Sequence, residues 1–245
     1  PAVAVACAAR VIASAAPDVV AVQELDRHWP RSGGVDQPAE LARLLGMRYA
    51  FAPNVVRPAE GAAGPDQEYG VAILSRFPIT EASTIPLPGA EGWEPRGLLV
   101  AHLAIPGWGK LVAMCTHLQV GFGETEAEGA IQRAAQARVV ASIAAAVGEP
   151  LVLMGDVNAD LADPELATLG AAGAGLRDVW AMLGGKTDGR TFPAHPAEPP
   201  RMRIDAIFVN HHLRPVGAWV VRSDEARRAS DHYPVVADVI VAGRS

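Results

Sequence analysis

The chain has 245 residues, of which half are apolar and a fifth are charged, and it carries a formal net charge of -6 at pH 7. These values are typical of an ordinary globular enzyme, and the length suits one large layered domain as well as two small ones. The net acidity disfavours a protein that grips duplex nucleic acid, and no apolar run reaches the roughly 20 residues of a membrane span.

The first elements in chain order alternate between helix and strand. Apolar residues at four-residue spacing, with Cys7 among them, predict a first helix that closes at Pro17. An apolar strand then ends at Glu24. Asp36 is a favourable capping residue for the start of a second helix, and Gly46 is a typical stop signal for it.

The remainder of the chain predicts strands around one long helix. Residues 53–68 are rich in Pro and Gly and are expected to form a loop. Apolar residues recur every fourth position from Ile131, which predicts a helix over about 128–147 with Arg133 and Gln136 on its solvent face. Adjacent strand pairs between the helices favour mixed sheets over a purely parallel one. The predicted strands are 71–74, 98–103, 111–115, 151–154, 204–209, 216–221 and 235–241.

Five short polar islands stand at the ends of apolar, strand-like runs or, in one case, inside such a run. They are Gln23-Glu24, Thr116-His117, Asp156-Val157-Asn158, Asp205 and Ser230-Asp231-His232. Polar side chains at strand ends can converge on one crevice, where the rigid sheet holds their geometry. Several carboxylates with an Asn and two His suit a hard cation and phosphoryl chemistry.

Each island taken singly has an ordinary explanation. Glu24 could equally face solvent at a strand end, and an Asp-x-Asn pair such as Asp156 and Asn158 is often only a turn. A single His near a strand is more often structural than catalytic. The sequence contains no Gly-x-Ser-x-Gly elbow and no His-Glu-x-x-His zinc helix, so it predicts neither a serine hydrolase nor a zinc protease.

The islands in this order, with the segment 69–76 (YGVAILSR) between the first two, resemble the endonuclease/exonuclease/phosphatase superfamily. These metal-dependent phosphoesterases include type I deoxyribonuclease and abasic-site endonucleases. The resemblance extends over essentially the whole chain, from Pro17 to His232. It implies an α/β fold, a four-layered α/β/β/α sandwich with two mixed β-sheets, as a single domain over residues 1–245.

The resemblance also implies a metal centre and an attacking water. Mg²⁺ or Mn²⁺ is the expected cofactor, with Glu24 and Asp231 as its protein ligands. Asp156 would orient or deprotonate the water. Asn158 would bind that water or an oxygen of the phosphate.

Two histidines are expected to stabilise the charge that develops on the phosphate. His117 and His232 would donate hydrogen bonds as imidazolium groups, each oriented by a carboxylate that raises its pKa. The resemblance makes Asp205 the partner of His232, and its position suggests Glu68 as the partner of His117. Thr116 is expected to support the site without contacting substrate.

Superfamily members normally open with a strand that ends in an Asn, which helps to hold the metal. This sequence begins inside the helix that follows that strand, so the resemblance implies an N-terminally truncated domain, either a fragment of a competent enzyme or a naturally shortened relative. The 245-residue form alone is expected to bind metal poorly and to aggregate. The compartment stays open, cytoplasmic or secreted, as does the oligomeric state. Two cysteines are too few for a disulfide framework, and Cys7 and Cys115 are expected to be buried free thiols.

The substrate class is the point on which the sequence says least. The mild acidity and the lack of a Lys/Arg run favour a small or lipid-derived phosphodiester over DNA. A metal-dependent nuclease acting on DNA is the first alternative. A non-catalytic relative that uses the scaffold to bind a partner is the second, and the missing first strand is its only support.

Overall fold

The computed structural model describes residues 2–59, 64–170, 174–185 and 188–243. The helices of this part are α1 (Ala2–Ser14), α2 (Gln37–Leu45), α3 (Glu126–Ala145), α4 (Val179–Met182) and α5 (Asp224–Ala229). The first strands are β1 (Val19–Arg27), β2 (Arg48–Arg57), β3 (Gln67–Ser75), β4 (Ile79–Pro86), β5 (Gly97–Ile105) and β6 (Gly109–His117). The later strands are β7 (Leu151–Asp156), β8 (Arg177–Asp178), β9 (Asp205–Val209), β10 (Leu213–Val220) and β11 (Val235–Val241).

The strands form one large sheet and two smaller antiparallel pieces. The large sheet has the order β4-β5-β6-β7-β9-β8, and it is mixed because β6 and β7 run parallel while its other pairs are antiparallel. The second sheet layer consists of a three-stranded piece, β1-β3-β2, and the β10-β11 pair. The parallel pair β6-β7 is joined by α3, as a crossover connection requires.

Alternate side chains of the large sheet belong to two different cores. Leu98 and Met114 pack under α3, whereas Leu99 and Ala113, one residue along each strand, pack between the two sheet layers. A third core joins α1 and α2 to the outer face of β1 and β3. The layers therefore follow the order helices, sheet, sheet, helix, and the α/β/β/α sandwich that the resemblance implied is confirmed.

The loop expected over residues 53–68 is wrong at both of its ends. β2 continues to Arg57 and β3 begins at Gln67, so only the middle of this segment connects two strands. Pro53 is tolerated in β2 because the pairing with β3 shifts register between Pro53 and Val55. Residues 60–63 of this prediction lie outside the described residues.

The long helix α3 was predicted with both ends two residues too late, and its predicted solvent face is wrong. Ile131 is 70% exposed, while Arg133 and Gln136 are 1% and 0% exposed. Arg133 forms ion pairs with Glu126 and Glu165 and thereby satisfies its buried charge. The four-residue periodicity identified a helix correctly and could not tell which polar residues have buried partners.

A groove of about 800 Å³ separates the two pieces of the second sheet layer. In the described residues β1 pairs with β3 alone and β11 pairs with β10 alone, so each presents an unpaired edge to the groove. The side chains of α1, β1 and β11 that line the groove are mostly apolar, and its floor includes Leu111 and Val152 of the large sheet. None of the helices in the described part of the chain is long and apolar enough to cross a membrane.

Candidate active site

Glu24 reaches the end of the groove because β1 carries a bulge at that point. The β1-β3 pairing shifts register between Val22 and Leu25, and Glu24 adopts a left-handed backbone with a φ of 59°. Such a conformation is strained for a residue other than glycine, and bulges commonly re-aim a side chain beside an active site. Gln23, the other residue of the bulge, donates a hydrogen bond to the Cys115 thiol at 3.3 Å.

Asp156 is the buried centre of the candidate site. It is the last residue of β7, is 6% exposed, and lies opposite His117 on β6 and Asp205 on β9. Gly155 makes the close approach of β6 and β7 possible, because a Cβ at this position would lie 2.1 Å from the Thr116 carbonyl oxygen. Burial and then the charge of Asp205 raise the pKa of Asp156 above its ordinary value.

Asn158 follows Asp156 in a turn and not in a continued strand. Its backbone N–H donates to Asp156 Oδ1 at 2.8 Å, and its φ of 52° is left-handed. Its side-chain amide donates to the Leu118 carbonyl oxygen at 3.0 Å. β7 therefore ends at Asp156, and the Asp-x-Asn pair forms a turn at the rim of the site.

His232 and Asp205 form the hydrogen-bonded pair that the resemblance implied. His232 Nδ1 lies 2.8 Å from Asp205 Oδ2, and its Nε2 lies 4.0 Å from Asp156 Oδ2. Burial lowers the pKa of His232, but the hydrogen bond to Asp205 and the surrounding carboxylates outweigh it and raise the pKa to about 9. The geometry therefore suits a charged imidazolium that donates toward the interior of the site.

His117 has a different partner from the one that the sequence suggested. Its Nδ1 lies 2.9 Å from a guanidinium nitrogen of Arg96, and its Nε2 lies 3.6 Å from Asp156 Oδ2 and 3.9 Å from Glu24 Oε1. Burial, and then the charges of Arg96 and His232, hold the pKa of His117 well below its ordinary value. His117 is thus suited to donate as a neutral imidazole, and its partner is a cation instead of the expected carboxylate.

Glu68, expected as the partner of His117, belongs to another cluster. It forms an ion pair with Arg27 at 2.8 Å, and Arg27 also pairs with Asp36. Thr116 is buried behind the site, where its hydroxyl donates to the Gly97 carbonyl oxygen at 3.2 Å. Thr116 thus ties β6 to β5, and Glu68 ties the ends of β1 and β3.

The donor set at this end of the groove fits a divalent cation. Glu24, Asp156, Asp205 and Asp231 line it together with His232. Burial, and then the charge of Asp231, raise the pKa of Glu24, while the charges of His232 and Arg96 lower it. Ligand atoms of Asp156, Asp205 and His232 lie within 4.8 Å of one another, but His232 Nδ1 is already bonded to Asp205.

A loop before β9 closes one wall of the site. The Phe192 ring lies 4.8 Å, centroid to centroid, from the His232 ring. Thr191 is fully buried, and its hydroxyl accepts a hydrogen bond from the Asp205 N–H at 3.4 Å. The side chain of His195, in the same loop, accepts a hydrogen bond from the Ala197 N–H and is turned toward its own loop.

Arg96, which contacts His117, and Gln119, which contacts Arg96, are not among the site residues predicted from the sequence. The antiparallel register of β5 and β6 pairs Leu98 with Thr116, which places Arg96 beside His117. That register follows from the short β5-β6 connection, so a count back from the hairpin turn could have found the contact. Gln119 follows the strand in a segment without a periodic pattern, and no signal marked it.

Carboxylates and two histidines at one end of two packed sheets suit a divalent cation and the hydrolysis of phosphate esters. Comparison with known families agrees with this class. The model of the endonuclease/exonuclease/phosphatase family matches residues 5–232, and the chain belongs to that family. Members of this family hydrolyse phosphoester bonds. No curated protein matches the sequence.

Solved structures show the same fold. An endonuclease/exonuclease/phosphatase protein from Beutenbergia cavernae DSM 12333 is 30% identical with a TM-score of 0.74, and the alignment covers 98% of this chain and 66% of that chain. TDP2 of D. rerio, complexed with a single-strand DNA product, is 25% identical with a TM-score of 0.69, and 97% and 93% of the chains are covered. A mannosyl-6-phosphatase of Bacteroides thetaiotaomicron VPI-5482 shares the fold at 20% identity and a TM-score of 0.72, with 96% and 90% covered.

Proposed function

We propose that this chain is a phosphoester hydrolase that acts on phosphodiesters with Mg²⁺ or Mn²⁺. The observation that carries the proposal is a buried Asp156 carboxylate between two histidine rings, with Nε2 of His117 at 3.6 Å and Nε2 of His232 at 4.0 Å. A carboxylate that can take a proton and two donors around it are what attack by water on a phosphate requires.

Glu24 and Asp231 are the residues that we propose hold the metal. Both are carboxylates at the open end of the groove, and hard oxygen ligands suit Mg²⁺ and Mn²⁺. His232 is a poor ligand here, because a ring with both nitrogens protonated has no lone pair to offer a cation. When bound, a divalent cation neutralises phosphate charge and favours attack on phosphorus.

Asp156 and Asn158 are proposed to handle the attacking water. Burial raises the proton affinity of Asp156, which suits a carboxylate that orients water and accepts its proton. One amide N–H of Asn158 donates to the Leu118 carbonyl oxygen. Its second N–H can donate to the water or to a phosphate oxygen, and its Oδ1 can accept from the water.

His117 and His232 are proposed to donate to the phosphate oxygens, in different charge states. Asp205 accepts from His232 Nδ1 and so directs the Nε2 proton of a charged ring into the site. His117 offers Nε2–H from a neutral ring. Fixed donors at the oxygens where charge develops lower the barrier to hydrolysis.

The proposal is tested by hydrolysis of bis(4-nitrophenyl) phosphate with Mg²⁺, Mn²⁺ or a chelator, using the chain and its Asp156→Asn variant. The variant keeps the shape of the side chain and loses the proton acceptor, so turnover should fall by about 10³-fold or more, and chelation should abolish wild-type turnover. Asp18→Asn is the matched control, because Asp18 lies 65% exposed at the opposite end of β1, paired with Arg76. Equal activity of wild type and Asp156→Asn would remove the proposal and would favour a relative that only binds a partner.

The substrate class that we favour is a small or lipid-derived phosphodiester, and single-stranded DNA is the second candidate. The net charge of -6 supports the first, and similarity to the TDP2 structure with its single-strand DNA product supports the second. Salt separates them, because contacts to several phosphates release counterions and lose affinity steeply as salt rises. Hydrolysis of a small phosphodiester that changes little between 50 and 200 mM salt, roughly, with no cleavage of a DNA oligonucleotide, would support the first class.

A further inference from the structure

Arg96 is a buried cation whose side chain contacts His117 and two residues near it, Glu94 and Gln119. Its side chain is 3% exposed, and its Nη1 lies 2.9 Å from His117 Nδ1 and 2.8 Å from Glu94 Oε1. Its Nε and Nη2 donate to Gln119 Oε1 at 3.4 and 3.3 Å. The guanidinium thus fills the space behind the His117 ring.

The chemistry of arginine decides the direction of the bond to His117. A guanidinium has five N–H donors and no acceptor, so His117 Nδ1 must offer its lone pair. The proton of the neutral ring then resides on Nε2. That atom faces the site, 3.6 Å from Asp156 Oδ2 and 3.9 Å from Glu24 Oε1.

We propose that Arg96 is a positioning residue for His117, which it holds in the tautomer that directs Nε2–H into the active site. The inference rests on the proposed function only in so far as His117 donates to the phosphate. With a carboxylate behind the ring, Nδ1 would carry a proton, as in the pair of His232 with Asp205. The two histidines are therefore oriented by opposite partners, one by a cation and one by an anion.

The fold holds Arg96 in place through α3. Gln136 accepts from the Gln119 N–H at 2.8 Å, and Arg133 donates to the Gln119 carbonyl oxygen at 3.2 Å. Gln119 in turn accepts from Arg96 and donates to the Glu94 carbonyl oxygen at 2.9 Å. These hydrogen bonds connect the buried polar row of α3, Arg133 and Gln136, to the His117 ring through Gln119 and Arg96. They leave Arg96 little freedom to move.

The competing role for Arg96 is a purely structural tie between the segments that carry Glu94 and Gln119. Both roles predict a loss of stability when Arg96 is replaced. Only the positioning role predicts a change in the protonated nitrogen of His117, and that quantity is visible in the ¹⁵N chemical shifts of the imidazole ring. The measurement needs neither metal nor substrate.

The test uses the full chain labelled with ¹⁵N-histidine, in the presence of a chelator, with His117→Gln to assign the signal. In wild type we expect one neutral tautomer with the proton on Nε2. In Arg96→Met we expect the proton to distribute between both ring nitrogens, and kcat to fall about 10- to 100-fold with KM within about twofold. Arg177→Met is the matched control, since Arg177 donates to carbonyl oxygens of Asn210 and Leu213, beyond the strand ends opposite the site.

If Arg96→Met does not fold, the Glu94→Gln variant and the wild-type spectrum still test the inference about Arg96. The Glu94→Gln variant removes the ion pair of Arg96 with the partly exposed Glu94, leaves the bond from Arg96 to His117, and should retain the Nε2–H tautomer. An Nδ1–H tautomer in wild type, or an unchanged His117 signal in Arg96→Met, would overturn the inference. Because the spectrum decides this, an inactive wild-type chain would count against the proposed function and not against the contact.

Discussion

At the scale of single residues, the charge state of each histidine of the site depends on the side chain that contacts its Nδ1 atom. Asp205 accepts from His232 and stabilises a charged ring, while Arg96 donates to His117 and stabilises a neutral one. The two rings nevertheless face the same Asp156 carboxylate. In the proposed mechanism, one charged and one neutral donor would bring less positive charge to the phosphate than two imidazolium groups, and a cation at Glu24 would supply the remainder.

Replacement of Asp205 by Asn tests the role of the carboxylate behind His232. The amide cannot take the place of the anion that holds His232 protonated, so kcat should fall by about 10²-fold or more. His232→Gln should lose a similar amount, and the double variant should lose little more, because the pair acts as one unit. Additive losses in steady-state kinetics would show that the two residues act separately.

At the scale of elements, the strand ends place the site residues through irregular backbone. Glu24 lies in a bulge of β1, Asp156 ends β7, and Asn158 lies in the turn that follows. Regular strands would send consecutive side chains to opposite faces and could not bring all of these groups to one rim. The left-handed residues Glu24 and Asn158 carry strain that the packed sheets on both sides must balance.

Gly155 is the position at which this arrangement tolerates no side chain. An alanine Cβ would lie 2.1 Å from the Thr116 carbonyl oxygen, so β6 and β7 would have to separate. Gly155→Ala should lower the free energy of unfolding by about 1–3 kcal/mol or more and should also displace Asp156, with loss of turnover. Urea unfolding with Gly148→Ala as the control measures this, because a Cβ at Gly148 meets nothing within 4 Å and should change stability by less than about 1 kcal/mol.

At the scale of the whole molecule, the groove between β1 and β11 is the main departure from a closed sandwich. Both bordering strands present unpaired edges in the described residues, and most of the lining is apolar. Unpaired edges beside an apolar surface favour association with other strands. The carboxylates of the candidate active site lie at one end of this groove, so a molecule that fills the groove would also contact these carboxylates.

We therefore expect the 245-residue chain to bind an apolar dye such as ANS and to associate as its concentration rises. Light scattering after size-exclusion chromatography measures the association. Val236→Lys places a charge on the exposed edge of β11 and should reduce the association without a change in the large sheet. A monomeric chain without dye binding would mean that the groove is closed in solution.

The sequence predicted more about which residues form the site than about how they are held. Polar islands after apolar runs led to Glu24, Asp156, Asp205 and His232, and the structure brings all four to one end of the groove. The partner of His117 was assigned wrongly to Glu68, because a one-dimensional pattern carries no information on which side chain fills the space behind a ring. The prediction that Arg133 faces solvent was wrong for the same reason, since one of its partners, Glu165, is 32 residues away in sequence.

What the sequence by itself determined is the family, the layered α/β architecture and the set of groups available for chemistry. The family and the sandwich came from the resemblance of the ordered motifs to a known superfamily, whereas periodicity and composition predicted only the helices, the strands and a globular enzyme. Only the tertiary structure decided the bulge at Glu24, the opposite partners of the two histidines, the buried polar row of α3 and the groove between β1 and β11. Each of these depends on contacts between residues far apart in sequence, and their free energies are set by burial and partner geometry that no local pattern contains.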